Sequence, residues 1–163
     1  MVERRTYSFD GSFSWADIKI PLTVDRKGYK YDASIRNFTV SENGQTIYTG
    51  ADQKGGLFSA RWDYSAFNEN RIFEISYTLF GAIGGGADFD EFYWQVIGDS
   101  WDVKTDKVEV LVTFPSTIAK NQVYAFAHGP TNGKYDFVSD NSVLFQIENL
   151  PANQFVETRL VFP

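Results

Sequence analysis

The sequence contains one histidine, His128. Any Ser-His-Asp arrangement or imidazole base would have to be built on it. It is followed by Gly129-Pro130, a turn signal, so the imidazole is expected to sit hydrogen-bonded at a strand end and not in a catalytic role. The triplet Gly84-Gly85-Gly86 suggests phosphate cradling, but a P-loop also needs Lys-Ser or Lys-Thr leading into a helix. Here Ala87-Asp88-Phe89-Asp90 follows, and carboxylates repel phosphate. The stretch Gly81 to Gly86 therefore reads as a flexible loop between two strands.

Asp88, Asp90 and Glu91, with Asp99 and Asp102 beyond them, are oxygen donors of the kind calcium takes. Their spacing matches no EF-hand, and carboxylates at strand ends are common in an acidic chain. Calcium on Asp88, Asp90 and Glu91 stands as an alternative to no cofactor at all. A glycosidase reading of the same acids has less support, because sequence gives no separation between the carboxyl groups. Among the aromatics, Trp101 and Tyr93, with Trp94, are the candidate platform on which a sugar ring would stack. The opposing reading places Trp94 and Trp62 in the core, where large rings usually lie. Trp101, after Gly98-Asp99-Ser100, is the one of Trp15, Trp62, Trp94 and Trp101 expected to be partly exposed.

Composition narrows the classes further. The formal charge of −6 repels phosphate backbones and anionic lipid surfaces, so nucleic acid is not an expected partner. With no cysteine, disulfides, thiolate nucleophiles and zinc–thiolate sites are excluded. Met1-Val2-Glu3-Arg4-Arg5 carries charge with no apolar stretch behind it, unlike a signal peptide. The longest apolar runs fall short of the roughly 20 residues a spanning helix needs. Asn37-Phe38-Thr39 has the form of a glycosylation acceptor, which matters only in a eukaryotic secretory setting.

The elements that must position these residues are strands. Aromatics make up 17% of the chain, and such rings suit a pleated surface. Apolar residues alternate with period two, most clearly at Val108, Val110, Val112 and Phe114, before Pro115 ends the run. Comparable runs cover 18–22, 58–62, 71–80, 92–96, 123–128, 143–147 and 156–162. Asn43-Gly44 and Asn132-Gly133 supply the positive φ that tight turns demand. Residues 65–70 read as a polar loop or short helical turn. The expectation is one domain over 1–163: an all-β, two-sheet antiparallel sandwich, immunoglobulin-like, of roughly ten strands and without internal repeats.

Several segments, taken in order, resemble one prokaryotic family. They are Tyr77-Thr78-Leu79 with Gly81-Ala82-Ile83, Asp90-Glu91-Phe92-Tyr93-Trp94, and Gly98-Asp99-Ser100-Trp101. Val108 to Pro115, Ala125-Phe126-Ala127-His128-Gly129-Pro130, Leu150-Pro151 and Val161-Phe162-Pro163 agree with it as well. The chain is similar over nearly its whole length to the family called domain of unknown function 2207, predicted membrane proteins. The resemblance implies an extracytoplasmic N-terminal region between a signal peptide and membrane-spanning helices. It implies no catalytic residues. It also implies a further strand before Val2-Glu3, and hence an edge open to a neighbour here.

The sequence thus leads to a non-catalytic binding, sensing or assembly module on the extracytoplasmic side of a cell membrane. Its expected partner is an unknown protein or carbohydrate. The alternative is a carbohydrate-binding module using exposed aromatics, with or without calcium.

Overall fold

The computed structural model describes residues 1–26 and 29–163. Among them are sixteen strands and one turn of 3-10 helix, Lys120–Gln122, so the fold is all-β, and its strand pairs are antiparallel. Sixteen strands replace the ten or so expected. Two of the additional ones show why alternation does not reveal them: Ile83–Gly85 is three residues long, and in Thr49–Lys54 five of six residues are exposed. The contacts form two compact units, Met1–Ala82 and Ile83–Pro163, where the sequence reading places one domain over 1–163.

The first unit contains β1 (Val2–Ser8), β2 (Ser12–Pro21), β3 (Thr23–Arg26), β4 (Tyr29–Asp32), β5 (Ser34–Glu42), β6 (Gln45–Ile47), β7 (Thr49–Lys54), β8 (Leu57–Phe67) and β9 (Asn70–Phe80). They pair as β1-β9-β5-β6 and β2-β8-β7, with β3-β4 as a ribbon. The period-two pattern puts Phe58, Ala60, Trp62 and Ala66 on one face of β8, and Phe73, Ile75 and Tyr77 on one face of β9; all are buried. The two sheets meet through these rings. Trp62 and Phe73 lie edge to face with centroids 5.8 Å apart, and Phe38 and Phe58 are 4.8 Å apart. Each such burial contributes about 1.5–3 kcal/mol.

Turn chemistry closes the hairpins. Asn43 and Gly44 join β5 to β6 with φ of 51° and 75°, as their types require. Asn68, at φ 47°, joins β8 to β9, and its side-chain oxygen accepts a 2.6 Å bond from Gly11 N. Residues 65–70 are therefore not a loop or helical turn. Ala66 alternates into the core as part of β8, and only the residues between Phe67 and Asn70 turn. β1 lies along β9 for its full length, from Val2 opposite Ser76 to Ser8 opposite Asn70. It forms an edge of its sheet.

The second unit contains β10 (Ile83–Gly85), β11 (Asp90–Ile97), β12 (Thr105–Thr113), β13 (Tyr124–His128), β14 (Lys134–Ser139), β15 (Ser142–Leu150) and β16 (Val156–Phe162). Its sheets are β10-β11-β16-β13 and β12-β15-β14. Val143 and Phe145 of one sheet pack with Ala125 and Leu160 of the other, and Val110 and Val112 pack against them. Val108 joins a second cluster with Ile147, Leu150 and Val156. The face predicted from alternation is thus the inner one.

Two turn readings are corrected here. Gly81 to Gly86 is not simply a loop: Ile83 pairs with Phe92 as β10, Gly86 N bonds Phe89 O at 2.8 Å, and the division between the units falls at Ala82/Ile83. Neither Asn132 nor Gly133 has positive φ. No hairpin is needed there, because the chain crosses from β13 in one sheet to β14 in the other.

The pairing scheme occurs twice. In the first unit, setting aside the ribbon and β6, the first strand lies beside the last and the last beside the third (β1-β9-β5), while the second lies beside the penultimate and that beside its predecessor (β2-β8-β7). From β11 onward the second unit repeats this as β11-β16-β13 and β12-β15-β14. The sequence shows no matching repeat, because both halves need only generic alternation to bury such sheets.

Candidate functional site

The residues singled out for binding cluster near β11, and strand geometry separates them. Successive side chains of a strand point to opposite faces. Trp94 therefore turns inward, 4% exposed and stacked on Phe92 at 6.5 Å, while Tyr93 turns outward. Trp101 lies outside the strands, half-buried; its N bonds Gly98 O at 3.3 Å and its O accepts Asn153 N at 2.8 Å. Trp94 is therefore core and cannot be part of an exposed platform with Trp101 and Tyr93. The most exposed indole is Trp15, at 48%, on the outer face of β2 with the Arg61 guanidinium 4.5 Å from its ring centre.

The same alternation separates the candidate calcium ligands. Asp88 is exposed in the β10–β11 connection, Asp90 is half-buried at the start of β11, and Glu91 points to the opposite face at 5% exposure. The Glu91 carboxylate accepts a hydrogen bond from Arg159 Nε on β16. Among the described residues no group of three or more acidic, histidine or cysteine side chains gathers where a metal ion would fit.

What the fold does assemble is a polar network on the outer face of β11-β16-β13. The pairings Tyr93 opposite Arg159 and Phe126 opposite Arg159 bring the three strands into register, with His128 opposite Glu157. Glu157, only 2% exposed, accepts a hydrogen bond from the Tyr93 hydroxyl. The Tyr93 ring lies 5.8 Å from that of His128, and the Arg159 guanidinium stands 5.1 Å over Phe126. Burying two carboxylates costs several kcal/mol each unless they are paired, and each has a partner here. The edge row beyond them, Tyr124, Phe126 and His128, is exposed.

Beside this face a pocket of about 290 Å³ opens among His128, Gly129, Pro130, Lys134, Gln146 and Glu157. A shallower depression of about 710 Å³ lies over Ile118, Lys120, Phe137 and Asp140. The arrangement sets paired polar groups beside the exposed rings of Tyr124 and Phe126. Among the described residues no Ser or Thr nucleophile is hydrogen-bonded to His128. Sequence reasoning reached Tyr93, Glu91 and His128 but missed Glu157, Arg159 and Phe126. Counting two positions at a time puts Phe126 with Tyr124 and His128, and Arg159 with Glu157, on one face of each strand, but does not set them beside Tyr93.

Two all-β antiparallel units, each with a four-stranded and a three-stranded sheet and the first with a two-stranded ribbon besides, make up the described residues, and the second carries the paired polar network. The chain belongs to the family described as predicted membrane protein (DUF2207) N-terminal domain, which it matches over residues 1–162. Nothing among curated proteins or solved structures matches it. No helix among the described residues is long and apolar enough to cross a membrane.

Proposed function

We propose that this chain is the extracytoplasmic module of a membrane-anchored protein, acting by binding, sensing or assembly and catalysing no reaction itself. The observation that carries this reading is the match of 1–162 to the N-terminal domain of predicted membrane proteins. The side of the membrane follows the architecture implied by the family resemblance. The non-catalytic role is supported by the commitment of the buried carboxylates, Glu91 to Arg159 and Glu157 to Tyr93. The partner is a protein or a carbohydrate and not nucleic acid, in keeping with a net charge of −6.

Because this chain has no cysteine, a single Cys placed in it reports its side of the membrane once any cysteines elsewhere in the anchored protein are replaced. Tyr48, 89% exposed, is replaced by Cys in the membrane-anchored protein, and intact cells are treated with a membrane-impermeant maleimide. Labelling in intact cells is expected. Labelling only after lysis would place the module on the cytoplasmic side and overturn the proposal.

One observation favours the carbohydrate partner. Trp15 is half exposed, with the Arg61 guanidinium over its ring, Asp17 and Asp63 nearby in register, and Arg61 donating to Asp63 at 3.1 Å. Rings stack on such a surface while the flanking charges hydrogen-bond hydroxyls. Titration with cell-wall glycans should quench tryptophan emission in the wild type and not in Trp15→Ala; a flat response in both removes this reading.

A further inference from the structure

Edges of open sheets present unpaired N–H and C=O groups, and proteins guard them with charge, proline, bulges or brevity. Among the described residues the edges here are guarded in these ways, with one exception. β6 and β10 are three residues long. β1 carries Glu3 and Arg4, β7 carries Asp52, and β12 carries Glu109. β2 has Asp17, Pro21 and a bulge between Phe13 and Trp15, and β14 has Asp136 and a bulge between Phe137 and Ser139. The ribbon strands include Asp25 and Lys30 in sequence. β13, Tyr-Ala-Phe-Ala-His, has no Asp, Glu, Lys, Arg or proline and pairs in regular register with β16 alone.

This strand is also self-complementary. If a second copy approaches antiparallel about a two-fold axis at Phe126, Phe126 faces Phe126, Tyr124 faces His128, and Ala125 faces Ala127. Rings then meet rings on the outer face, and methyl groups meet methyl groups on the other. Directly opposed aromatic pairs favour strand pairing, whereas like charges would oppose it, and this strand has no Asp, Glu, Lys or Arg. Tyr124 is 64% exposed and Phe126 40%, so the rings are open to such a neighbour.

We propose that β13 is an assembly edge at which two copies of this chain pair, joining β10-β11-β16-β13 to its two-fold mate as one eight-stranded sheet. The pairing is isologous, the same strand serving both sides. Five residues bury far less than the roughly 1,000 Å² of a lasting interface, so the contact is weak in solution. Chains tethered in one membrane would meet it at raised effective concentration.

The test is sedimentation of the 163-residue chain up to about 1 mM, the range that resolves weak association, at about 0.15 M salt to screen the net charge. The wild type should shift toward dimer with concentration. Phe126→Lys and Phe126→Glu should each remain monomeric at every concentration, since each sets like charges across the two-fold axis, and mixing them one to one should restore the dimer. Circular dichroism checks their folding; if either fails to fold, Tyr124→Lys, at a more exposed position, substitutes as the monomeric variant. A wild type that stays monomeric throughout overturns the proposal. So does a dimer that survives in the folded charged variants, which would mean that another surface pairs.

Discussion

Arg71 of β9 reaches Glu42 of β5, donating from Nη2 to Oε2 at 2.5 Å and from Nε to Oε1, while Nη1 bonds the Ser65 carbonyl at 2.6 Å. One guanidinium thus ties the β5–β6 turn to the end of β8. The hydrogen bond from Arg71 holds the Glu42 carboxyl below its ordinary value of 4.5. A carboxylate with a depressed folded pKa contributes stability above its unfolded pKa and loses it as pH falls through the folded one. Arg71→Ala is therefore expected to cost about 1–2 kcal/mol at pH 7. Urea titrations of wild type and variant should converge only as pH falls through the depressed folded pKa of Glu42, below which its carboxyl is protonated in both.

Trp62 is fully buried, yet its indole Nε1 has no hydrogen-bond partner among the described residues. Trp62→Ala should cost about 3–5 kcal/mol through cavity formation. Trp62→Phe keeps most of the ring and removes the unsatisfied donor, so its cost should stay within about 1 kcal/mol. Equal losses in the two variants would show that Nε1 has a partner.

Gly129 closes β13 with φ 144°, and a β-carbon there would stand 2.7 Å from the Phe155 carbonyl oxygen. Gly129→Ala should lower stability by about 1–3 kcal/mol, because the backbone opposite must move. Amide exchange should rise first around 124–129 and 155–157. A variant with wild-type exchange in both segments would contradict this contact.

The Glu91–Arg159 pair also tests the calcium reading. If the acids hold no ion, Glu91→Gln should lower the melting temperature equally in calcium and in chelator, by an amount matching about 1–3 kcal/mol. A wild type that melts higher in calcium, with the gain lost in Glu91→Gln, would restore the metal site.

Strands that alternate strongly are legible in the sequence. Val108, Val110 and Val112 face inward because exposing that row would cost more than any turn preference could recover. β7 is not legible in this way, since its exposed Gly50, Asp52 and Lys54 serve hydrogen bonding alone. The site is harder to read because neighbours in sequence are not neighbours in space. Tyr93 and Trp94, like Asp90 and Glu91, are adjacent in the chain, and the pleat sends them to opposite sides of one sheet. Partners such as Glu157 for Tyr93 lie 64 positions away and depend on a register that sequence alone does not supply.

The first strand of each pairing scheme runs antiparallel to the last, so each begins where the last strand finishes: Met1 N bonds Tyr77 O at 2.6 Å, and Asp90 stands opposite Phe162. Tension pulling these ends apart would act along the ladder's hydrogen bonds and open them one after another, like a zip, instead of shearing the whole row at once. Loaded between these paired ends, each unit is expected to open at lower force than one whose ladder is loaded along its strands.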